Sequence, residues 1–222
     1  MITLHHLAKS RSQATLWLLE ELGCEYRIVN YARHPKTQLA PPELLAVHPL
    51  GKSPVITDGV YTVAESGAIV EYLVGSYDQG RLCPPTGTPA RLQYSYWLHY
   101  AEGSAMPPLV MNLVFQMMAQ APMPFFMRPL VRAITRPVHA TYLDPQLQRH
   151  IGFWESTLAG QEWFAGGEFT AADIQMSTPV QMAALRTGIP LGPAVRSFLE
   201  RIRARPAFQR ALKAGGEIKL PS

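Results

Sequence analysis

His48-Pro-Leu-Gly-Lys-Ser-Pro-Val-Ile56, continued by Thr57-Asp58-Gly59-Val60-Tyr61-Thr62-Val63-Ala64 and then Glu65-Ser66-Gly-Ala-Ile-Val-Glu-Tyr-Leu73, is the stretch whose reading decides the fold. Two β-branched runs at 55–57 and 60–63 flank Asp58-Gly59, a dipeptide suited to the left-handed backbone of a two-residue turn, and so predict a hairpin. Behind it Ile69, Leu73 and the adjacent Val70 mark one buried face, which predicts a helix over 65–77. Pro54 precedes the first of these strands. An X-Pro bond can turn the chain in the cis form at little more than the trans cost, and a bend there lets Ser53 offer its backbone N–H and C=O to an extended peptide. At the start of the helix that follows, free N–H groups and the positive end of the dipole favour a carboxylate. The Ser66 hydroxyl adds a hydrogen bond there, and Glu65 suits an ammonium group.

Upstream, Ile2 and Leu4 alternate with Thr3 and His5, so residues 2–6 read as a strand that enters the polar turn Ala8-Lys9-Ser10-Arg11. Ala14, Leu18 and Leu22 then share one helical face that Gly23 stops, with Ser10 and Gln13 spaced as a capping box. Residues 26–31 read as a second strand. The proline-rich stretch from Tyr31 to Pro49 leaves room for one short helix at 43–47. Downstream, Arg81-Leu-Cys-Pro-Pro-Thr-Gly-Thr-Pro89 has the composition of a linker, and beyond it the pattern is helical at 90–119, 125–160, 171–186, 193–204 and 206–214. Phe169-Thr-Ala-Ala-Asp-Ile174 supplies a capping box between Thr170 and Asp173, with Phe169 and Ile174 placed as a hydrophobic staple.

Taken in order, Ser53-Pro54, Asp58-Gly59 and Glu65-Ser66 resemble the glutathione-binding core of glutathione transferases, and the box at 169–174 is similar to one that opens a buried helix in that family's second domain. The beginning, Leu4-His-His-Leu-Ala-Lys-Ser-Arg-Ser-Gln13 with Leu16-Trp-Leu-Leu-Glu-Glu-Leu-Gly23, and the later Tyr96-Trp-Leu-His-Tyr-Ala-Glu-Gly-Ser-Ala-Met-Pro-Pro108, resemble a bacterial or fungal subgroup. The resemblance implies an α/β thioredoxin-like domain at 1–80, a linker at 81–89 and an all-α domain at 90–222. It implies glutathione as co-substrate, a cis Pro54, backbone pairing from Ser53, and Glu65-Ser66 at the opening of a helix. The activating residue it implies is Ser10, with Ser12 as rival, Arg11 as an electrostatic aid and a minor place for His5 near the sulfur.

Lys52 and Gln38 are candidates for the glycine carboxylate, and Glu102 for the glutamyl ammonium, which in related dimers is met from the partner subunit. Tyr96, Tyr100, Met106, Leu109, Met111 and Phe115 are candidates for an apolar wall that receives a small hydrophobic electrophile. The absence of cysteine beside Ser10 counts against thiol transfer. The implied activity is glutathione conjugation or glutathione-dependent peroxide reduction by a homodimer. The alternative is a glutathione-binding regulatory protein of the same fold with little catalysis.

Composition narrows the field further. With 222 residues, 47% hydrophobic and 16% charged, the chain can bury a real core. Basic residues exceed acidic ones by 20 to 16, largely between Arg128 and Arg136 and between Arg196 and Lys219, stretches that read first as solvated helix faces. No nucleic-acid module is recognisable. Cys24 and Cys83 form no C-x-x-C pair, and His5 and His6 fall on opposite faces of a strand, so neither a structural zinc nor any other metal is expected. The amino terminus has neither a basic leader nor an apolar stretch fit for a signal peptide, which makes the cytoplasm the expected compartment. The most apolar segment, Leu109 to Met127, is interrupted by Pro122 and Pro124 and predicts no membrane span; association with a membrane through it is a third reading.

Overall fold

The computed structural model describes residues 1–7 and 10–216. Ala8-Lys9 of the expected turn, and the end of the second basic stretch at Lys219, lie outside the described residues. Four strands, β1 (Ile2–Leu7), β2 (Tyr26–Tyr31), β3 (Val55–Asp58) and β4 (Tyr61–Ala64), form one sheet in the order β2-β1-β3-β4. β1 and β2 are parallel, so a crossover must join them, and α1 (Ser12–Leu22) is that crossover. β3 runs antiparallel to both β1 and β4. The short α2 (Pro42–Val47) lies in the proline-rich stretch, and α3 (Ser66–Tyr77) follows the hairpin.

The hairpin turn sits one residue later than its dipeptide suggests. Asp58 pairs with Tyr61 in the ladder, which leaves Gly59-Val60 as the loop, with Gly59 at φ +56°. Asp58 is held in the strand because its carboxylate accepts hydrogen bonds from the hydroxyls of Tyr72, at 2.9 Å, and Tyr77.

The rest of the chain is helical: α4 (Pro89–Tyr100), α5 (Met106–Gln120), α6 (Arg128–Val138), α7 (Asp144–Gly160), α8 (Ala171–Arg186), α9 (Pro193–Ala204) and α10 (Pro206–Gly215). The helix expected over 90–119 is not uniform. Between α4 and α5 the chain widens into a π-helical turn, Ala101–Ala105. Pro107 and Pro108 lack the N–H groups that an unbroken α-helix would bond to the carbonyls of Gly103 and Ser104, which accounts for the break. The helix expected over 125–160 is likewise divided, by a π-helical turn at His139–Leu143.

The box that opens α8 forms as expected. Asp173 accepts from the Thr170 N–H at 2.9 Å and also from the Phe164 N–H at 2.7 Å, while complete burial pushes its carboxyl up to about 6. Phe169 packs on Trp17 and Trp163, with ring centroids 5.7 and 4.9 Å apart.

α1 ties the sheet to the helices, which matters because the site lies at its amino end. Leu16, Leu18 and Leu19 are fully buried. Trp17 meets Phe208 of α10 edge to face at 5.0 Å. Gln13 donates to the Ala211 carbonyl at 2.8 Å, and Glu21 and Glu20 pair with Arg205 and Arg210, each at 2.6 Å. In the expected linker Leu82 is buried, and its carbonyl accepts from the Ala171 N–H at 2.9 Å.

Candidate active site

β1 ends at Leu7 and α1 begins at Ser12, so the chain leaving the sheet delivers Ser10 to the front of the first helix, beside the bend that enters β3. The expected capping box between Ser10 and Gln13 does not form. The N-cap is Arg11, without a side-chain cap bond, because Gln13 turns inward to α10. Ser10 Oγ instead accepts from the Ser12 N–H at 3.3 Å, meets Ser12 Oγ at 2.7 Å and donates to Ser53 Oγ at 3.2 Å.

Ser53 is fixed from behind. Its hydroxyl donates to the His5 carbonyl at 2.8 Å and accepts from the Leu7 N–H at 3.2 Å. The Ser53-Pro54 bond is cis. The β3 ladder begins only at the Val55–His5 pair, which puts Ser53 just past its end. Gly51, two residues earlier, stands at φ +54°, and a Cβ there would lie 2.7 Å from Leu45 Cδ2, so a side chain at this approach to Ser53 would strain the backbone and push Leu45 aside.

Of the two adjacent histidines, His6 is the one joined to the site, its Nδ1 lying 2.9 Å from Ser12 Oγ. His5, given a minor place near the sulfur by the sequence, turns the other way and spends its nitrogens on Tyr31 at 2.9 Å and Thr57 at 3.3 Å. Burial lowers the pKa of both imidazoles, helped at His5 by the charge of Arg27.

Ser10 and Ser53 open into a cavity of about 340 Å³.

 A separate concavity of about 470 Å³ is lined by Tyr96, Trp97 and Phe153. Around the first, α5 contributes Met106, Val110 and Leu113, spaced by four and three residues on one helical face. α8 contributes Thr178, Gln181, Met182 and Arg186 from the opposite side. Arg11, Arg33 and Lys52 line the remainder, so with Arg186 four cations and, among the described residues, no carboxylate line this space.

The candidate residues divide accordingly. Ser10, Lys52, Ser53 and Met106 line the cavity together, whereas Pro54 is buried behind it. Gln38 does not reach it: its side-chain amide is exposed and donates back to the carbonyl of Pro35 at 3.0 Å. Arg33, which donates to the Gln38 carbonyl at 2.9 Å, lines the cavity from the same loop.

Of the residues expected to form an apolar wall only Met106 lines this cavity. Leu109 is fully buried core, and Tyr100 is committed to His150 and to Trp154 Nε1, the latter at 3.2 Å. Phe115 packs against His139, Met111 is exposed on another face of α5, and Tyr96 belongs to the separate concavity. The sequence could place apolar residues on α5, but the face turned to Ser10 depends on how α5 packs against α8.

Glu65 and Ser66 lie outside the cavity lining, at the front of α3. Glu65 is exposed and holds φ +71°, a strained value for a residue with a side chain. Glu102 links them to the cavity: it pairs with Arg11 at 3.4 Å, accepts from Gln175 at 3.2 Å and is within electrostatic reach of Glu65 and Ser66 of its own chain. Its carboxyl is pushed above the usual range chiefly by burial, against the pull of Arg11. Arg33, Arg186 and His6 had no local signal that marked them for the site.

The sequence profile described as "Glutathione S-transferase, N-terminal domain" matches residues 1–75, and that of the C-terminal domain matches residues 116–206. The chain is 36% identical over 214 residues to Glutathione S-transferase 3 of Schizosaccharomyces pombe, covering 95% of this chain and 86% of that one. It is 32% identical to Glutathione S-transferase 1 of Saccharomyces cerevisiae, with 94% and 92% covered. Among solved structures, a glutathione S-transferase from Actinobacillus pleuropneumoniae superposes with a TM-score of 0.77 at 32% identity, over 99% of this chain and 95% of that chain.

Proposed function

This chain belongs to the glutathione S-transferase family, and we propose that it activates the glutathione thiol at Ser10 for attack on a small hydrophobic electrophile or a peroxide. The observation that carries the reading is the position of Ser10, whose hydroxyl lies in the cavity lining beside Ser53 and ahead of the first turn of α1. Glutathione lies along the bend, its cysteinyl unit against the Ser53 backbone, its glycine carboxylate toward Lys52 and Arg33, and its glutamyl end toward Glu65, Ser66 and Glu102.

A free thiol of pKa about 8.5 is mostly protonated at neutral pH. Lowering that value by about two units requires roughly 2.7 kcal/mol of preferential thiolate stabilisation. A hydrogen bond to a charged group contributes about 1.5–3 kcal/mol, and the amino end of α1 adds to it. Ser10 therefore acts as a donor to the thiolate, while the thiol proton goes to solvent. In conjugation the sulfur forms a bond to the electrophilic carbon and the leaving group departs with its electron pair. In peroxide reduction the sulfur forms a bond to one peroxide oxygen, the O–O bond breaks with release of the other oxygen as an alcohol, and a second glutathione displaces water from the resulting sulfenic acid to close the disulfide.

Met106, Val110, Leu113 and Met182 receive the apolar part of the second substrate. The proposed assembly is a homodimer in the cytoplasm. Turnover of a halogenated nitroarene and of an organic hydroperoxide, measured beside calorimetric glutathione binding, tests the reading. Binding without turnover of either class would make the chain a glutathione-binding protein instead, and absence of binding would remove the proposal altogether.

A further inference from the structure

The hairpin of α5, the turn at Phe125–Met127 and α6 carries a surface that catalysis does not use. Between Glu102 and Asp144 the sequence contains no acidic residue, while Arg128, Arg132 and Arg136 recur every fourth position along α6. Among the described residues none of the three arginines has an ion-pair partner.

Apolar side chains stand in water on the same hairpin. Phe125 is 81% exposed, Phe126 68%, Leu130 60% and Ile134 54%. At about 3.6 residues per turn, Leu130 and Ile134 fall on the side of α6 opposite the arginine ridge. Buried Thr135 marks the side turned to the protein. On α5 the exposed Val114 and Met117 continue the helical face of Val110, which lines the cavity.

A solvated face accounts for the arginines but leaves the adjacent phenylalanines in water. A second copy seated on this face by a two-fold axis would cover the phenylalanines, yet it would bring one acid-free basic hairpin against another. An anionic bilayer satisfies both features, since aromatic and aliphatic groups enter the headgroup–acyl boundary while arginines keep their charge among the phosphates. Because no helix among the described residues is long and apolar enough to cross a membrane, the contact is peripheral.

We propose that this hairpin seats the protein on an anionic lipid surface, with Phe125, Phe126, Leu130 and Ile134 at the boundary and Arg128, Arg132 and Arg136 among the headgroups. The test is co-sedimentation of the full chain with vesicles of phosphatidylcholine, with and without phosphatidylglycerol, at low and high salt. Binding is expected only to the mixed vesicles and is expected to weaken with salt.

Replacing the three arginines by glutamine should lower partitioning about a hundredfold, roughly fivefold for each charge removed. Phe125→Ser with Phe126→Ser should lower it at least about tenfold. Both variants should keep the unfolding midpoint and the turnover of a water-soluble electrophile. Absence of binding to the mixed vesicles overturns the proposal, as does binding that the phenylalanine variant leaves unchanged. Self-association that this variant abolishes, in a chain that ignores vesicles, would also overturn it and make the face a protein interface.

Discussion

The imidazole Nδ1 of His6 and the hydroxyl of Ser12 lie 2.9 Å apart inside the molecule, at the inner end of a row of hydrogen bonds that reaches Ser10 and Ser53. Each hydroxyl has one hydrogen, and the last acceptor, the His5 carbonyl, can only accept. Ser53 therefore donates to His5, Ser10 to Ser53, Ser12 to Ser10, and His6 Nδ1–H to Ser12. On the proposed mechanism the Ser10 hydrogen leaves Ser53 for the thiolate, while Ser12 goes on donating to the Ser10 oxygen and so polarises its hydroxyl from behind.

Loss of that hydroxyl should be felt in turnover more than in binding. Ser10→Ala should lower kcat about ten- to hundredfold, the equivalent of one charge-assisted bond, and leave the glutathione Kd nearly unchanged. Ser12→Ala should give a smaller loss, because it removes only the support. Steady-state kinetics and titration calorimetry measure the two effects, and unchanged kcat in Ser10→Ala would remove Ser10 from the mechanism.

The two histidines make stability depend on pH. His5 and His6 both have pKa values lowered from the ordinary 6.5, mainly by burial. As the pH falls through that value, the unfolded chain takes up protons that the folded imidazoles refuse, so stability declines and levels off only below the folded pKa values. Thermal unfolding should show this decline between about pH 7 and pH 5. His6→Asn keeps an N–H donor for Ser12 and cannot titrate there, so its decline should be shallower.

Glu65 separates folding from binding. Its φ of +71° is costly for any residue but glycine, by roughly 1–3 kcal/mol. Glu65→Gly should leave the unfolding midpoint unchanged or raise it, while removing a carboxylate from the glutamyl end of the ligand and weakening glutathione binding at least about tenfold. A variant that binds as tightly as the parent would show that Glu65 does not meet the ligand.

Asp173 has the opposite profile. It is fully buried and takes hydrogen bonds from two backbone N–H groups, those of Thr170 and Phe164, so Asp173→Ala strands both. The expected loss is about 3 kcal/mol of unfolding free energy, measured in denaturant. Activity per folded molecule should be unchanged at low temperature, since Asp173 lies outside the cavity lining.

Much of the architecture was legible because its signals act over a few residues: alternation in β1, the β-branched runs of the hairpin, the periodic faces of α1 and α3, and the box at Thr170 and Asp173. The local failures share a cause. Gln13 left its capping role for the carbonyl of Ala211, and Asp58 was drawn into the strand by Tyr72 and Tyr77, so partners distant in sequence overrode a short-range preference.

By itself the sequence determined the order of strands and helices, the Ser53-Pro54 bend and the presence of Ser10 near the first helix. Only the tertiary structure decided that His6 rather than His5 supports that serine, that Arg33 rather than Gln38 faces the cavity, and that α5 turns Met106, Val110 and Leu113 toward it. Periodicity states which residues share a face. Which neighbour that face meets is settled when the whole core packs, because burial and hydrogen-bond satisfaction are properties of the assembled chain.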